Sequence, residues 1–314
     1  MTAKRFRILS LLSCIGMLLV LLAGVTVTNT GSGEGCGTDW PLCHGKFIPA
    51  YTLESMIEYS HRFVTGIEGL LVLATFVFAF MMRPRSREAL WYSGGALAFT
   101  VVQAILGMMA VIWPTSDAVM AIHFGISMIA FSFTWLLYAW AKRYEKAQAE
   151  GEPNPAAVHL GTGAARVPAA LYKWALAVMA YCYVVVYIGA YVRHTSTAGG
   201  CIGWPLCNGE IVPELTGATI PAFIHRVAAV LLFFAIVAMF LYVRKASGSR
   251  ELNGIAASAL GLVVAQILSG WLLTVTLHNE DVYVFTALLH TIIICILFNA
   301  LCLLAVRAYQ LSRR

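Results

Sequence analysis

Glu58-Tyr59-Ser60-His61-Arg62 stands where a polar stretch gives way to a long apolar run, and Ile224-His225-Arg226 opens another such run with its histidine 164 positions later. Between and after them lie His123 and His290, each near the start of a further apolar run. Four histidines so placed, one to a run, decide how the chain reads.

The surrounding composition is that of a membrane protein. Of 314 residues, 60% are apolar and 11% charged, against about 45–50% and about 25% in soluble domains. Eight apolar runs reach the length of about 20 residues that crosses a bilayer, at roughly 8–29, 61–82, 89–112, 119–141, 172–192, 221–243, 252–275 and 283–306. Backbone polar groups must pair internally in lipid, so runs of this length predict helices rather than barrel strands. Lys4-Arg5-Phe6-Arg7 heads a run too long for a signal peptide, with no small-residue cleavage pattern after it, so the reading is a retained helix. With no Ser/Arg-rich transit sequence, the expected location is a bacterial plasma membrane.

If the N-terminus is inside, every one of the 21 basic residues except Lys46, Arg62, Arg193 and Arg226 falls on the inner side. Basic residues favour the cytoplasmic face. Both termini are therefore expected in the cytoplasm, and the net charge of +6 does not point to nucleic acid. The stretch Glu145–Arg166, with Gly151, Pro153, Asn154, Pro155, Gly161 and Gly163, reads as a flexible linker. The organisation that follows is a half at 1–144, a linker at 145–170 and a half at 171–314.

The halves repeat. Trp40-Pro41-Leu42-Cys43 recurs as Trp204-Pro205-Leu206-Cys207, and His61-Arg62 as His225-Arg226. Gln103-Ala104-Ile105-Leu106-Gly107 recurs loosely as Gln266-Ile267-Leu268-Ser269-Gly270, and His123 as His290. The expected fold is an all-α integral membrane protein of eight transmembrane helices, as two tandem four-helix bundles related by a pseudo-twofold along the membrane normal.

His61, His123, His225 and His290 should then lie near the outer ends of helices two, four, six and eight. A single intramembrane histidine is commonly a helix-to-helix hydrogen bond. Four in register point to ligation, because polar groups in lipid are costly. The paired short spacing of a helical zinc site is absent. Lone histidines on separate helices suit a planar macrocycle held between them, and haem is the natural choice. Repeat symmetry pairs His61 with His123 and His225 with His290; Met120 or Met128 is a weaker alternative ligand without a repeat mate. Arg62, Arg226 and Arg193 are candidate propionate partners, the alternative being interfacial snorkelling.

Cys36 and Cys43 sit in one outer loop, Cys201 and Cys207 in its repeat. On an oxidising side these pairs predict disulfides, each closing a loop worth about 2.5 kcal/mol. The plain reading is two stapled lids; the sharper one gives Cys36 and Cys43 a redox or substrate-contacting role. Cys14, Cys182, Cys295 and Cys302 read as buried small hydrophobes. His44, His194 and His278 have no repeat mates among the histidines and fall outside the ligand set. Glu58 also lacks a mate, because the matching residue is Ala222. It shares a helical face with His61 three residues on, so a carboxylate there can take a proton or stabilise positive charge; the alternative is a helix first-turn acid.

These residues carry a family resemblance. Thr30-Gly31-Ser32-Gly33, Cys36, Asp39-Trp40-Pro41-Leu42-Cys43-His44-Gly45 and Glu58-Tyr59-Ser60-His61-Arg62 resemble haem A synthase, and the likeness extends over nearly the whole chain. Many members carry an arginine near the end of helix one, where this chain has Thr28. The resemblance implies oxidation of a methyl group of haem O to a formyl group by successive hydroxylation, giving haem A for cytochrome oxidase. It implies that His61 and His123 hold the substrate haem, that Glu58 is catalytic, and that His225 and His290 hold a haem b. Partners expected with it are haem O synthase, the oxidase assembly and an unidentified electron acceptor. The chief rival is a di-haem b-type membrane cytochrome, which does not need Glu58 on one side alone. A transporter is a further rival, and it would place its polar residues at mid-membrane.

Overall fold

The structure, a computed structural model, describes residues 2–47, 51–151 and 166–313. Eight helices among them are long and apolar enough to cross a membrane: α1 (Ala3–Asn29), α2 (Leu53–Met81), α3 (Arg87–Ile112), α4 (Asp117–Ala149), α5 (Ala169–His194), α6 (Thr219–Ala246), α7 (Arg250–Thr276) and α8 (Glu280–Ser312). The described residues form no strand beyond two isolated bridges. The all-helical fold expected from the apolar runs is what the chain adopts.

The helices outrun the apolar stretches at most ends, because polar caps extend them. Thr52 accepts from the Ser55 amide and starts α2 at Leu53 rather than 61, so His61 lies two turns inside the helix. Ser86 and Ser249 cap α3 and α7 in the same way, and Asn279 caps α8. At its far end α4 continues to Ala149, and Gly151 follows in the left-handed region (φ 72°), where glycine carries no Cβ penalty. Most of the linker expected at 145–170 lies outside the described residues.

Large apolar side chains face outward at mid-helix. Leu70 is 69% exposed, Leu231 55% and Phe234 61%. Water would reject such a surface; lipid accepts it.

The chain divides into two compact units, Met1–Ser116 with Ile126–His159, and Asp117–Gly125 with Leu160–Arg314. In the first, α1 packs on α2 and α2 on α3, while Phe6 meets Trp140 edge-on at 6.0 Å and Arg7 pairs with Glu145 at 2.9 Å. In the second, α5, α6, α7 and α8 pack in a ring, each on the next and α8 back on α5. α6 and α8 therefore stand at opposite corners.

Each unit carries a matching ion pair near one end of its helices. Arg143 Nη2 donates to Glu88 Oε1 at 2.8 Å, and the Tyr92 hydroxyl joins it at 2.9 Å. Arg307 grips Glu251 through Nε and Nη2, both at 2.8 Å. Glu251 follows Glu88 by 163 positions and Arg307 follows Arg143 by 164, so these are repeat mates. Planar guanidinium and carboxylate groups suit this two-point contact. The Arg307 side chain is only 3% exposed, so Glu251→Ala removes the counter-charge of a buried guanidinium that keeps its bond to Gln310. It is expected to lower unfolding stability by about 2 kcal/mol, read as a depressed thermal midpoint in detergent, with Glu251→Gln falling between it and the parent chain.

Candidate functional site

The loops that follow α1 and α5 are built on one plan. Cys36–Cys43 and Cys201–Cys207 are both joined as disulfides, with Cα atoms 4.4 and 4.8 Å apart. After each second cysteine the chain reverses in a two-residue turn. Cys43 and Lys46 exchange backbone hydrogen bonds at 3.0 Å, and Cys207 and Glu210 at 3.1 and 3.0 Å. The central residues, His44-Gly45 and Asn208-Gly209, all have positive φ, as a type I′ turn requires. His44 Nε2 meets the Gly35 carbonyl at 3.1 Å, and Asn208 Nδ2 donates to the Gly200 carbonyl at 3.1 Å. His44 is thus a turn residue equivalent to Asn208.

An arginine fastens each loop. Arg62 Nη1 donates to the carbonyls of Asp39 and Leu42, both at 2.6 Å. Arg226 Nη1 donates to those of Gly203 and Leu206, at 2.8 and 3.1 Å. Their second nitrogens diverge. Arg226 Nη2 donates to the Cys201 carbonyl, whereas Arg62 Nη2 donates to Glu58. Glu58 in turn accepts from the Cys36 amide at 2.7 Å through its other oxygen and is 3% exposed. The carboxylate is therefore inserted between arginine and loop in the first unit, where the second unit has Ala222 buried against Cys201 and Cys207. Arg193 stacks over the Tyr283 ring, 5.9 Å from its centroid.

The histidines lie on α2 (His61), α4 (His123), α6 (His225) and α8 (His290). Two of them press on glycines of the preceding helix. A Cβ at Gly24 would fall 3.3 Å from Cε1 of His61, and one at Gly189 would fall 2.8 Å from Cε1 of His225. The backbones of Val20 and Val185, one turn before those glycines, interact with the rings without closing a hydrogen bond at Nδ1. The Nδ1 atoms of both rings are buried with no hydrogen-bond partner among the described residues. His290 lies beside Gly270, whose Cβ would fall 3.4 Å from its Cε1. It stands diagonally across the second unit from the helix of His225. His61 falls in the first unit, and His123 in the segment grouped with the second.

His225, whose buried Nδ1 has no hydrogen-bond partner among the described residues, and His290, beside Gly270 and bonded to Ser269 and Gln266, stand on opposite corners of a helix ring, an arrangement that fits a haem held in the second unit. Groups left unpaired in lipid are costly unless something binds them. His225 and His290 would hold such a group.

The family model described as COX15-CtaA, cytochrome oxidase assembly protein, matches residues 7–171 and 172–222. The chain belongs to this family. Among curated relatives it is similar to Heme A synthase of Halalkalibacterium halodurans, 39% identical over 95% of both chains. It is also similar to Heme A synthase of Alkalihalophilus pseudofirmus, 38% identical over 95% of both, and of Symbiobacterium thermophilum, 38% identical over 92% of this chain and 90% of that one.

Three groups of this family member escaped the sequence reading. The seats Gly24 and Gly189 keep the repeat offset, 165, and Val20 and Val185 share it, so a search for small residues at repeat spacing finds them. Ser269 and Gln266 bond to His290. Glu68, seven residues after His61 on α2, is buried; its Oε1 accepts from the Ser13 hydroxyl at 2.8 Å and its Oε2 has no hydrogen-bond partner among the described residues. An acid inside an apolar run was the available signal for it.

The seats give a direct test. Gly189→Ala, whose Cβ meets the His225 ring at 2.8 Å, is expected to lower bound haem severalfold. Gly24→Ala, at 3.3 Å, should have the smaller effect. Haem per polypeptide, measured from the reduced-minus-oxidised spectrum, checks both.

Proposed function

We propose that this chain is a membrane oxidoreductase of haem A biosynthesis for cytochrome oxidase, converting a methyl group of haem O to the formyl group of haem A. The observation that carries the reading is near full-length similarity to proteins named Heme A synthase. Eight apolar helices make it a multi-pass membrane protein, suited to a substrate whose isoprenoid tail belongs in lipid. The di-haem cytochrome is the less favoured reading, because the relatives are synthases.

The chemistry balances as two successive oxidations. The methyl carbon takes oxygen from water to become hydroxymethyl, releasing two protons and two electrons. A second such step gives a gem-diol, which loses water to leave the aldehyde. An electron acceptor outside the chain takes the four electrons.

His61 and His123 are assigned to the substrate haem by the repeat, and His225 and His290 to a resident haem b, which when bound would pass electrons. Glu58 is assigned the proton-accepting role. Buried between the Cys36 amide and Arg62, it is oriented by both, and the disulfide-stapled loop holds the amide in place. Arg62 and Arg226 are assigned to the loops and, with Arg193, to the outer rim where propionates would lie. The pockets are placed toward the extracytoplasmic side of a plasma membrane, with both termini in the cytoplasm, because the basic residues collect at the other face.

Glu58→Gln keeps an oxygen to accept the Cys36 amide but cannot take a proton. It should leave the loop and the second-unit haem in place and lower haem A formation by at least about a hundredfold, within the usual range for a general base. Haem A extracted from the variant at the parent yield would remove Glu58 from the chemistry. His225→Ala should lose the haem b band from the reduced spectrum; an unchanged band would contradict the assignment.

A further inference from the structure

Both ring nitrogens of His290 meet α7. The Ser269 hydroxyl donates to the Gln266 carbonyl at 2.9 Å. A hydroxyl has one proton to give, so toward His290 Nδ1, 2.8 Å away, Ser269 Oγ can only accept. In the tautomer that this pairing suits, Nδ1 carries the ring proton and Nε2 presents a lone pair. That lone pair takes a hydrogen bond from Gln266 Nε2 at 2.8 Å. Gln266 and Ser269, three residues apart, share one face of α7, and Gly270 lets α8 come close enough for both bonds.

This is the tautomer that a metal-bound imidazole needs, made by the protein alone. The first half carries Gln103 and Gly107 at the positions of Gln266 and Gly270, but Leu106 at that of Ser269. Leucine has no acceptor to offer.

We propose that Ser269 is a positioning residue for His290: it holds the proton on Nδ1, leaves Nε2 as the nitrogen that would ligate the iron of haem b, and would strengthen that ligand by accepting from its far side. Gln266 keeps the Nε2 lone pair satisfied until iron takes its place. The inference rests on the assignment of His290 as a haem b ligand. An imidazole whose N–H is donated to an acceptor is the more basic ligand, and a more basic ligand favours ferric over ferrous iron. Ser269 thereby sets the second-unit haem toward easier oxidation.

The test is a potentiometric titration of the full-length, haem-loaded protein, followed at the haem b band. Ser269→Ala should keep its haem and show a ferrous-to-ferric ratio, at fixed potential, about three- to tenfold higher than the parent chain. Ser269→Thr keeps the acceptor and should restore the parent ratio. Gln266→Leu should leave that ratio unchanged, while haem added to the haem-depleted protein should bind faster. An unaltered ratio in Ser269→Ala, with haem lost from His290→Ala, overturns the inference and leaves the ligand assignment standing. Haem b retained in His290→Ala overturns both. If Ser269→Ala binds no haem, Ser269→Thr decides: the parent ratio there supports the role of the acceptor, and loss of haem there overturns it.

Discussion

Inside a bilayer a polar side chain has no water to fall back on, and this chain is arranged around that shortage. Several of its buried polar groups lie against a partner, and two histidines lie in a seat shaped for something that would be one. The Nδ1 atoms of His61 and His225, unpaired against Gly24 and Gly189, are the clearest case of the second kind. The ion pairs Glu88–Arg143 and Glu251–Arg307 are the clearest case of the first. A core built for packing alone would carry leucine at these places.

The same shortage explains why the loops are tied so firmly to the helices. Arg62 and Arg226 each satisfy carbonyls of a short disulfide loop that has no strand or helix to pair them. With those carbonyls held, the loop becomes a fixed wall. In the first unit one arginine bond is given up to Glu58, and the loop returns a backbone amide to the same carboxylate. Where the second copy has alanine, the first has a glutamate whose carboxylate is held by both the arginine and the loop. Duplication supplied two copies of the frame, and the difference between them lies in what is bonded to the arginine.

Much of the fold was legible along the chain. Eight helices follow from the lengths of the apolar runs, because lipid leaves the backbone no other way to pair. The paired cysteines follow from their equal placement in repeated loops. Helix ends were less legible: Thr52 begins α2 two turns before His61, since a cap acts through one hydroxyl that the apolar pattern does not register. His44 and Asn208, unlike in chemistry, fill the same left-handed turn position, and side-chain identity alone hides that.

The sequence by itself determined the membrane class, the repeat, and which residue types stand at the four histidine positions and at Glu58, because these follow from counting and spacing. Only the tertiary structure decided what those residues touch. That Glu58 is held by the Cys36 amide, that His225 rests on Gly189, and that Ser269 meets Nδ1 of His290 all depend on contacts between residues 21 to 36 positions apart. Spacing along one helix cannot reveal such contacts, since they are made by the approach of separate elements whose distance is set by glycines and loops.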